Sequence, residues 1–342
     1  MASVDARLPV LSSGQRLGPC VIREVIRRDD DLVEYRATHA DHPQFVALRA
    51  FALDAAGGSA VKFQRRAEAV AHLKHPNIIR IFDHGAEKDV LFVVCEYIEG
   101  STLRDLLSEY PSGLPQDELN RLFSQIASAV AYAHEQGITH GRLMPENVLL
   151  DANLRPVLSR FAVVQNVEGM PENLAYAAPE FLEEGRLTPP CDIYALGALL
   201  YEMATGDVPF KGTAPKEVAK LQLHGVPRPP SEINVEIDPR VENVILKALN
   251  KAPVDRYESA REMIIDIEQE SFGAEYETLS LDRRAVREMQ HRPSEVMRFE
   301  RSRTLTDENS ADVVQDSTRL PYIVVGIAAV VVLVIIVSLL LL

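Results

Sequence analysis

Short apolar runs separated by turn residues fill the first hundred positions, and Leu91-Phe-Val-Val-Cys-Glu96 is representative: too short for a helix and rich in β-formers. One helical pattern interrupts them, over 60–73, ahead of His75-Pro76-Asn77. Together these predict a small β-rich lobe carrying one helix. After Gly100 the period changes. Leu119, Leu122, Phe123, Ile126 and Val130 recur at i, i+3, i+4, i+7 and i+11, one face of a helix, with Asp117 as its expected cap. A larger, mostly helical lobe is predicted to follow. Between 272 and 320 the aromatic and branched content falls while Ser, Thr, Arg and acids alternate, the composition of a flexible linker. Within it Leu281, Ala285 and Met289, with Arg283, Arg284 and Arg287 alongside, fit either a membrane-surface helix or a short solvated one.

The stretch 322–342 contains no charged side chain and is nearly all Val, Ile, Leu and Ala. As a helix it would reach about 32 Å, enough to cross the hydrocarbon core. The expected organisation is an N-terminal tail (1–14), a two-lobed domain (15–272, lobes 15–98 and 99–272), a juxtamembrane linker (273–321) and a C-terminal transmembrane helix (322–342). With Arg319 flanking the span and no basic-then-apolar leader at Met1, a single-pass protein tail-anchored in the cell membrane is expected, its folded domain in the cytoplasm.

The 36 Lys and Arg against 50 Asp and Glu give a net charge of −14, which excludes the basic patch of a nucleic-acid binder. Hydrophobic content of 46% is ample for a buried core and excludes a disordered chain. Cys20, Cys95 and Cys191 are widely spaced, so neither zinc nor a disulfide framework is expected.

Four segments carry a resemblance: Phe45-Val-Ala-Leu-Arg49, Gly137-Ile-Thr-His-Gly-Arg-Leu-Met-Pro-Glu-Asn147, Tyr176-Ala-Ala-Pro-Glu180 and Cys191-Asp-Ile-Tyr-Ala-Leu-Gly197. In order and spacing they resemble the signature set of the bacterial Ser/Thr (Hanks-type) branch of the protein kinase superfamily over roughly residues 15–272. The resemblance implies a bilobal α+β protein-kinase-like fold. It also implies a set of working positions, and several hold unexpected residues. Arg49 stands at the strand lysine and Arg66 at the helix glutamate that should pair with it. Arg142 stands at the catalytic-loop aspartate, Met144 at the nearby lysine, and Arg160 at the metal-holding aspartate. Arg27, Asp29 and Leu32 stand where three loop glycines would, and Asn173 where a threonine would. Gly141 replaces the arginine that receives an activation-loop phosphate, and 162–177 contains no Ser or Thr.

An arginine stays protonated and cannot serve as a general base at neutral pH. Arg49 facing Arg66 at 4 Å would repel by about 4 kcal/mol unless an acid intervenes, and Glu68 is rotated roughly 200° away. Of the implied metal ligands only Asn147 remains, so no metal site is expected. The implied nucleotide pocket comprises Ala47, Glu96, Asn147 and Leu149. Glu34 stands where a valine covers the adenine, unless a one-residue slip brings Val33 there. The clustered arginines call for compensation, and Asp29, Asp30 or Asp31 folding onto Arg49, Arg66 or Arg160 is the expected source. Structural positions are kept: Glu180 with Arg256, Asp192 and Gly197, and the stack of His140 on Phe161.

The expectation from these substitutions is a catalytically inactive, membrane-anchored pseudokinase acting as a protein-binding or regulatory scaffold, with no cofactor required. Two alternatives stay open: an atypical Ser/Thr protein kinase with residual ATP-dependent phosphotransfer, and a nucleotide sensor that binds ATP without Mg²⁺. The expected partners are cytosolic signalling proteins. They include an active kinase or a phosphothreonine-binding domain that reads Thr304 or Thr306 in Arg301-Ser-Arg-Thr-Leu-Thr-Asp307.

Overall fold

A computed structural model describes residues 8, 10–28, 32–53, 60–161 and 174–268. All lie in the first of the two units into which the chain divides, Met1–Phe272 and Gly273–Leu342. The expected linker and the apolar run 322–342 fall outside the described residues. Among the described residues no helix is long and apolar enough to cross a membrane.

The first lobe is an antiparallel sheet built from β1 (Arg16–Leu17), β2 (Cys20–Arg28), β3 (Leu32–His39) and β4 (His42–Ala52), then, after helix α1 (Ala60–Ala71), β5 (Ile81–Glu87) and β6 (Val90–Glu96). Their spatial order is β1-β2-β3-β4-β6-β5. Strand β4 is central, and Val46 through Phe51 are all buried, so it reads as a continuous apolar run interrupted only by Arg49. Side chains alternate between the two faces of the sheet. Val33, Tyr35, Val46, Leu48 and Ala50 pack on one face, while Leu32 and Phe51 on the other meet Phe63 and Ala67 of α1. Helix α1 buries Phe63, Ala67 and Val70, spaced at i, i+4 and i+7, and leaves its remaining positions partly or largely exposed.

The second lobe opens with β7 (Gly100–Thr102) and α2 (Leu103–Glu109), joined at Thr102 by a reciprocal cap with Asp105. Next come α3 (Gln116–Glu135), β8 (Val148–Asp151) and β9 (Pro156–Leu158), the strands closing a small sheet with β7. Helix α3 buries the stripe expected of it, but Asp117 lies inside the first turn, and Pro115 occupies the cap with no side-chain hydrogen bond. Asp117 and Glu118 instead place negative charge near the helix N-terminus, where the peptide dipoles favour it.

Helices α4 (Pro179–Glu184), α5 (Pro189–Thr205), α6 (Pro215–His224), α7 (Pro239–Ala248) and α8 (Ala260–Glu268) complete the lobe. Helix α5 is buried on every side from Cys191 to Thr205 and forms its axis. A Cβ at Gly197 would stand 2.7 Å from Ala248 Cβ, so glycine there lets α5 and α7 approach. Glu180 of α4 and Arg256 form a bidentate pair at 2.7 and 2.8 Å, with the Arg256 side chain fully buried.

Candidate active site

Asp192, in the first turn of α5 and 1% exposed, builds the loop that follows α3. Its carboxylate accepts hydrogen bonds from the backbone N–H of His140 at 2.7 Å and of Gly141 at 2.8 Å, and lies 2.8 Å from His134 Nε2. These contacts fix the 140–147 segment against the core. Burial, opposed by Asp192, holds His140 down at about 4, so its imidazole is neutral at pH 7. The ring sits 4.4 Å from that of Phe161, and its Nε2 lies 3.1 Å from the Ser159 carbonyl oxygen. The strand pair β8–β9 and the loop are therefore joined to α5 through one histidine.

Asn147 ends this segment in a short 3₁₀ turn, Pro145–Asn147. Its Nδ2 donates to the Arg142 carbonyl at 2.7 Å, and its own carbonyl accepts from Ser159 N and Oγ at 2.9 and 3.0 Å. Asn147 Oδ1 is buried with no hydrogen-bond partner among the described residues. An orphaned buried acceptor is costly, and a ligand would relieve it. Arg142 is half-buried beside it, and Met144 packs against the large-lobe core.

Across the cleft, the pairing of β3 with β4 sets Glu34 directly opposite Arg49. Arg49 Nε donates to Glu34 Oε1 at 2.8 Å, and Arg160 Nη2 donates to Glu34 Oε2 at 3.2 Å. All three side chains are nearly buried, at 12% exposure for Glu34, 5% for Arg49 and 8% for Arg160. Burial pushes the Glu34 carboxyl up, but Arg49 and then Arg160 pull harder and leave it at about 2. Arg160 holds a left-handed backbone with φ of 59°, a strained conformation for a residue with a side chain. Both arginines line a narrow cavity with Phe51, Val70, Ile79 and Phe161.

These contacts correct several expectations. Arg66 is half-buried on α1, yet the partner of Arg49 comes from the neighbouring strand, so an acid does intervene and the feared like-charge pairing is compensated. Glu34 points at the arginines and is no substitute for an adenine-covering valine. Val33 belongs to the opposite face of the sheet, which rules out the one-residue slip. Asp29, Asp30, Asp31 and Asn173 lie outside the described residues.

Of the other pocket positions, Ala47 lies further along the same sheet face, while Leu149 belongs to the small sheet of the second lobe. Ala47 packs with Ile79, Cys95 and Val157, Leu149 rests against that cluster, and half-buried Glu96 closes β6 opposite Val46. This apolar floor beside Arg49 suits a flat heterocycle.

Sequence reasoning missed a second polar cluster. Arg104 of α2 donates to Glu146 at 2.7 Å, to the Tyr176 hydroxyl at 2.9 Å and to Glu202 of α5, and Tyr176 also bonds Glu202. It ties α2, the 140–147 segment and α5 together. The i, i+3 and i+4 patterns that locate helices carry no signal for contacts among three of them.

The kinase-like fold implies Mg²⁺, which takes carboxylate and phosphate oxygens. Here the loop offers one amide oxygen, Asn147 Oδ1, and a guanidinium stands at Arg160. Among the described residues no three His, Cys, Asp or Glu converge. Among the described residues, this donor set does not fit a protein-held magnesium.

With this geometry, similarity to known proteins becomes decisive. Residues 33–266 match the family described as "Protein kinase domain". The chain belongs to that family. It is 35% identical over 214 residues to the serine/threonine-protein kinase PrkC of Bacillus subtilis, covering 60% of this chain and 33% of that protein. To the serine/threonine-protein kinase pkn3 of Myxococcus xanthus it is 33% identical over 251 residues, covering 66% and 43%. Among solved structures, the PknI kinase domain of Mycobacterium tuberculosis superposes with a TM-score of 0.65 at 26% identity, covering 75% of this chain and 98% of that one. The chain thus spans about a third of the length of the first curated relatives.

These findings overturn the expectation of a catalytically silent scaffold. The relatives are named kinases throughout the matched region, and nothing among the described residues shows inactivity. The physical flaw in that expectation was to count each arginine as a lost function. Phosphoryl transfer rests on positioning and charge stabilisation more than on covalent work, and arginines supply positive charge.

Proposed function

We propose that this chain is an atypical Ser/Thr protein kinase, which moves the γ-phosphoryl group of ATP to a protein hydroxyl with arginines in place of the usual lysine and aspartates. The observation that carries the reading is the match of residues 33–266 to the protein kinase domain family, 214 residues of the chain aligning with a named Ser/Thr kinase, with the 140–147 segment held in register by Asp192. Adenine occupies the floor of Ala47 and Leu149 near Glu96. Arg49 and Arg160 hold phosphate oxygens through charge-assisted hydrogen bonds. Asn147 Oδ1 gains a donor from the acceptor hydroxyl or from a water that positions it. Arg142 neutralises charge that builds on the transferring group. No residue at its position takes the acceptor proton, which leaves to solvent after the loose transition state, and the reaction is accordingly slow.

Anchoring through 322–342 would keep the domain beside membrane-bound substrates. Thr304 and Thr306 would be acceptors within tethered reach, and a phosphothreonine-binding domain their reader. The test is incubation of the full chain with ATP, followed by mass spectrometry of phosphorylated Ser and Thr. Modified residues in the wild type, reduced about tenfold or more in Asn147→Ala, are expected. Bound ATP with no modified residue in any preparation would replace this reading with the nucleotide sensor.

A further inference from the structure

The phosphate-binding corner of this cleft carries its own anion. Arg49 from β4 and Arg160 after β9 converge on one carboxylate, Glu34, which they grip through one oxygen each at 2.8 and 3.2 Å. Each guanidinium thus meets the carboxylate through one of its nitrogens. A carboxylate presents two oxygens and one negative charge, whereas a diphosphate presents more oxygens and at least two charges in the geometry that guanidiniums prefer. Glu34 retains 12% exposure, so its side chain has an opening toward solvent, while its backbone is fixed in the β3 ladder.

We propose that Glu34 is a built-in occupant of a diphosphate site formed by Arg49 and Arg160, and that ligand phosphate must displace it before the site is filled. Glu34 thereby sets a threshold: it keeps the two arginines compensated in the empty cleft and weakens every phosphate ligand by the cost of its own release. Only the class of ligand rests on the kinase reading, because displacement is a binding event that needs no phosphoryl transfer.

The probe is inorganic pyrophosphate with a chelator present, titrated calorimetrically into the full chain. Glu34→Gln keeps the shape and removes the charge, and it should bind pyrophosphate about tenfold tighter than wild type. The double variant Glu34→Gln with Arg49→Gln should lose that gain, which places the ligand on this pair. Equal affinity in wild type and Glu34→Gln, or a gain that survives in the double variant, would overturn the proposal. Should Glu34→Gln fail to fold, Glu34→Asp carries the test, since its shorter carboxylate cannot span both arginines. About threefold tighter binding is expected of it, and no gain overturns the proposal equally. If the pyrophosphate gain appears while no variant transfers phosphate from ATP, the displaced-anion site stands and the kinase reading fails.

Discussion

Glu34 exchanges one burial problem for another: a buried acid is unfavourable alone, and so are two buried arginines, but the three together are compensated. Because the folded carboxyl lies at about 2 against an ordinary 4.5, its contribution to stability is fully present above pH 4.5 and is lost as pH falls toward 2. We therefore expect Glu34→Gln to cost on the order of 3 kcal/mol at pH 7, the gap to wild type narrowing as pH falls from 4.5 to 2. Urea unfolding of both proteins across pH 7 to 3 checks this, and a gap independent of pH would contradict it. The partnership was only half legible beforehand. Counting along the motifs placed Arg49 and Arg160 in the site and showed that they need an acid. That Glu34 is such an acid follows from the register of β3 against β4, which no count along the sequence reveals; the expected run of Asp29, Asp30 and Asp31 lies outside the described residues.

At the scale of elements, periodicity carried well where a single stripe decides the burial. Helix α3 and the sheet strands are examples, whereas the first turn of α3 was misread because Asp is as welcome beside the helix dipole as at the cap. Helix α5 is legible from its motif rather than its pattern, since a helix buried on all sides shows no stripe. Its contact with α7 yields a specific expectation. Gly197→Ala would set a methyl group 2.7 Å from Ala248 Cβ, forcing the helices apart at a cost of about 1–3 kcal/mol. Thermal unfolding should show a lower midpoint for this variant, and Gly197→Ala combined with Ala248→Gly should recover much of the loss. The Arg104 cluster was invisible in the sequence for a related reason: its members come from α2, the 140–147 segment, the 174–176 turn and α5, and only the packed lobe brings them together.

For the whole molecule, the frame and the chemistry were legible to different degrees. The signature segments led directly to two lobes, a buried central helix and the Glu180 to Arg256 pair, because these depend on residue types whose spacing is rigid. Activity did not follow from the same reading, because a list of substituted positions says nothing about how the substitutes are arranged. In three dimensions Arg49 and Arg160 both meet Glu34, and the 140–147 segment holds an asparagine with an unspent acceptor. The most direct measurement is transfer of labelled γ-phosphate from ATP to the purified full chain and to a generic Ser/Thr substrate, with Arg49→Met run alongside. We predict incorporation by the wild type above that of Arg49→Met by about tenfold or more. Incorporation that is absent, or equal in the two proteins, would contradict the assignment of this cleft as a phosphotransfer site.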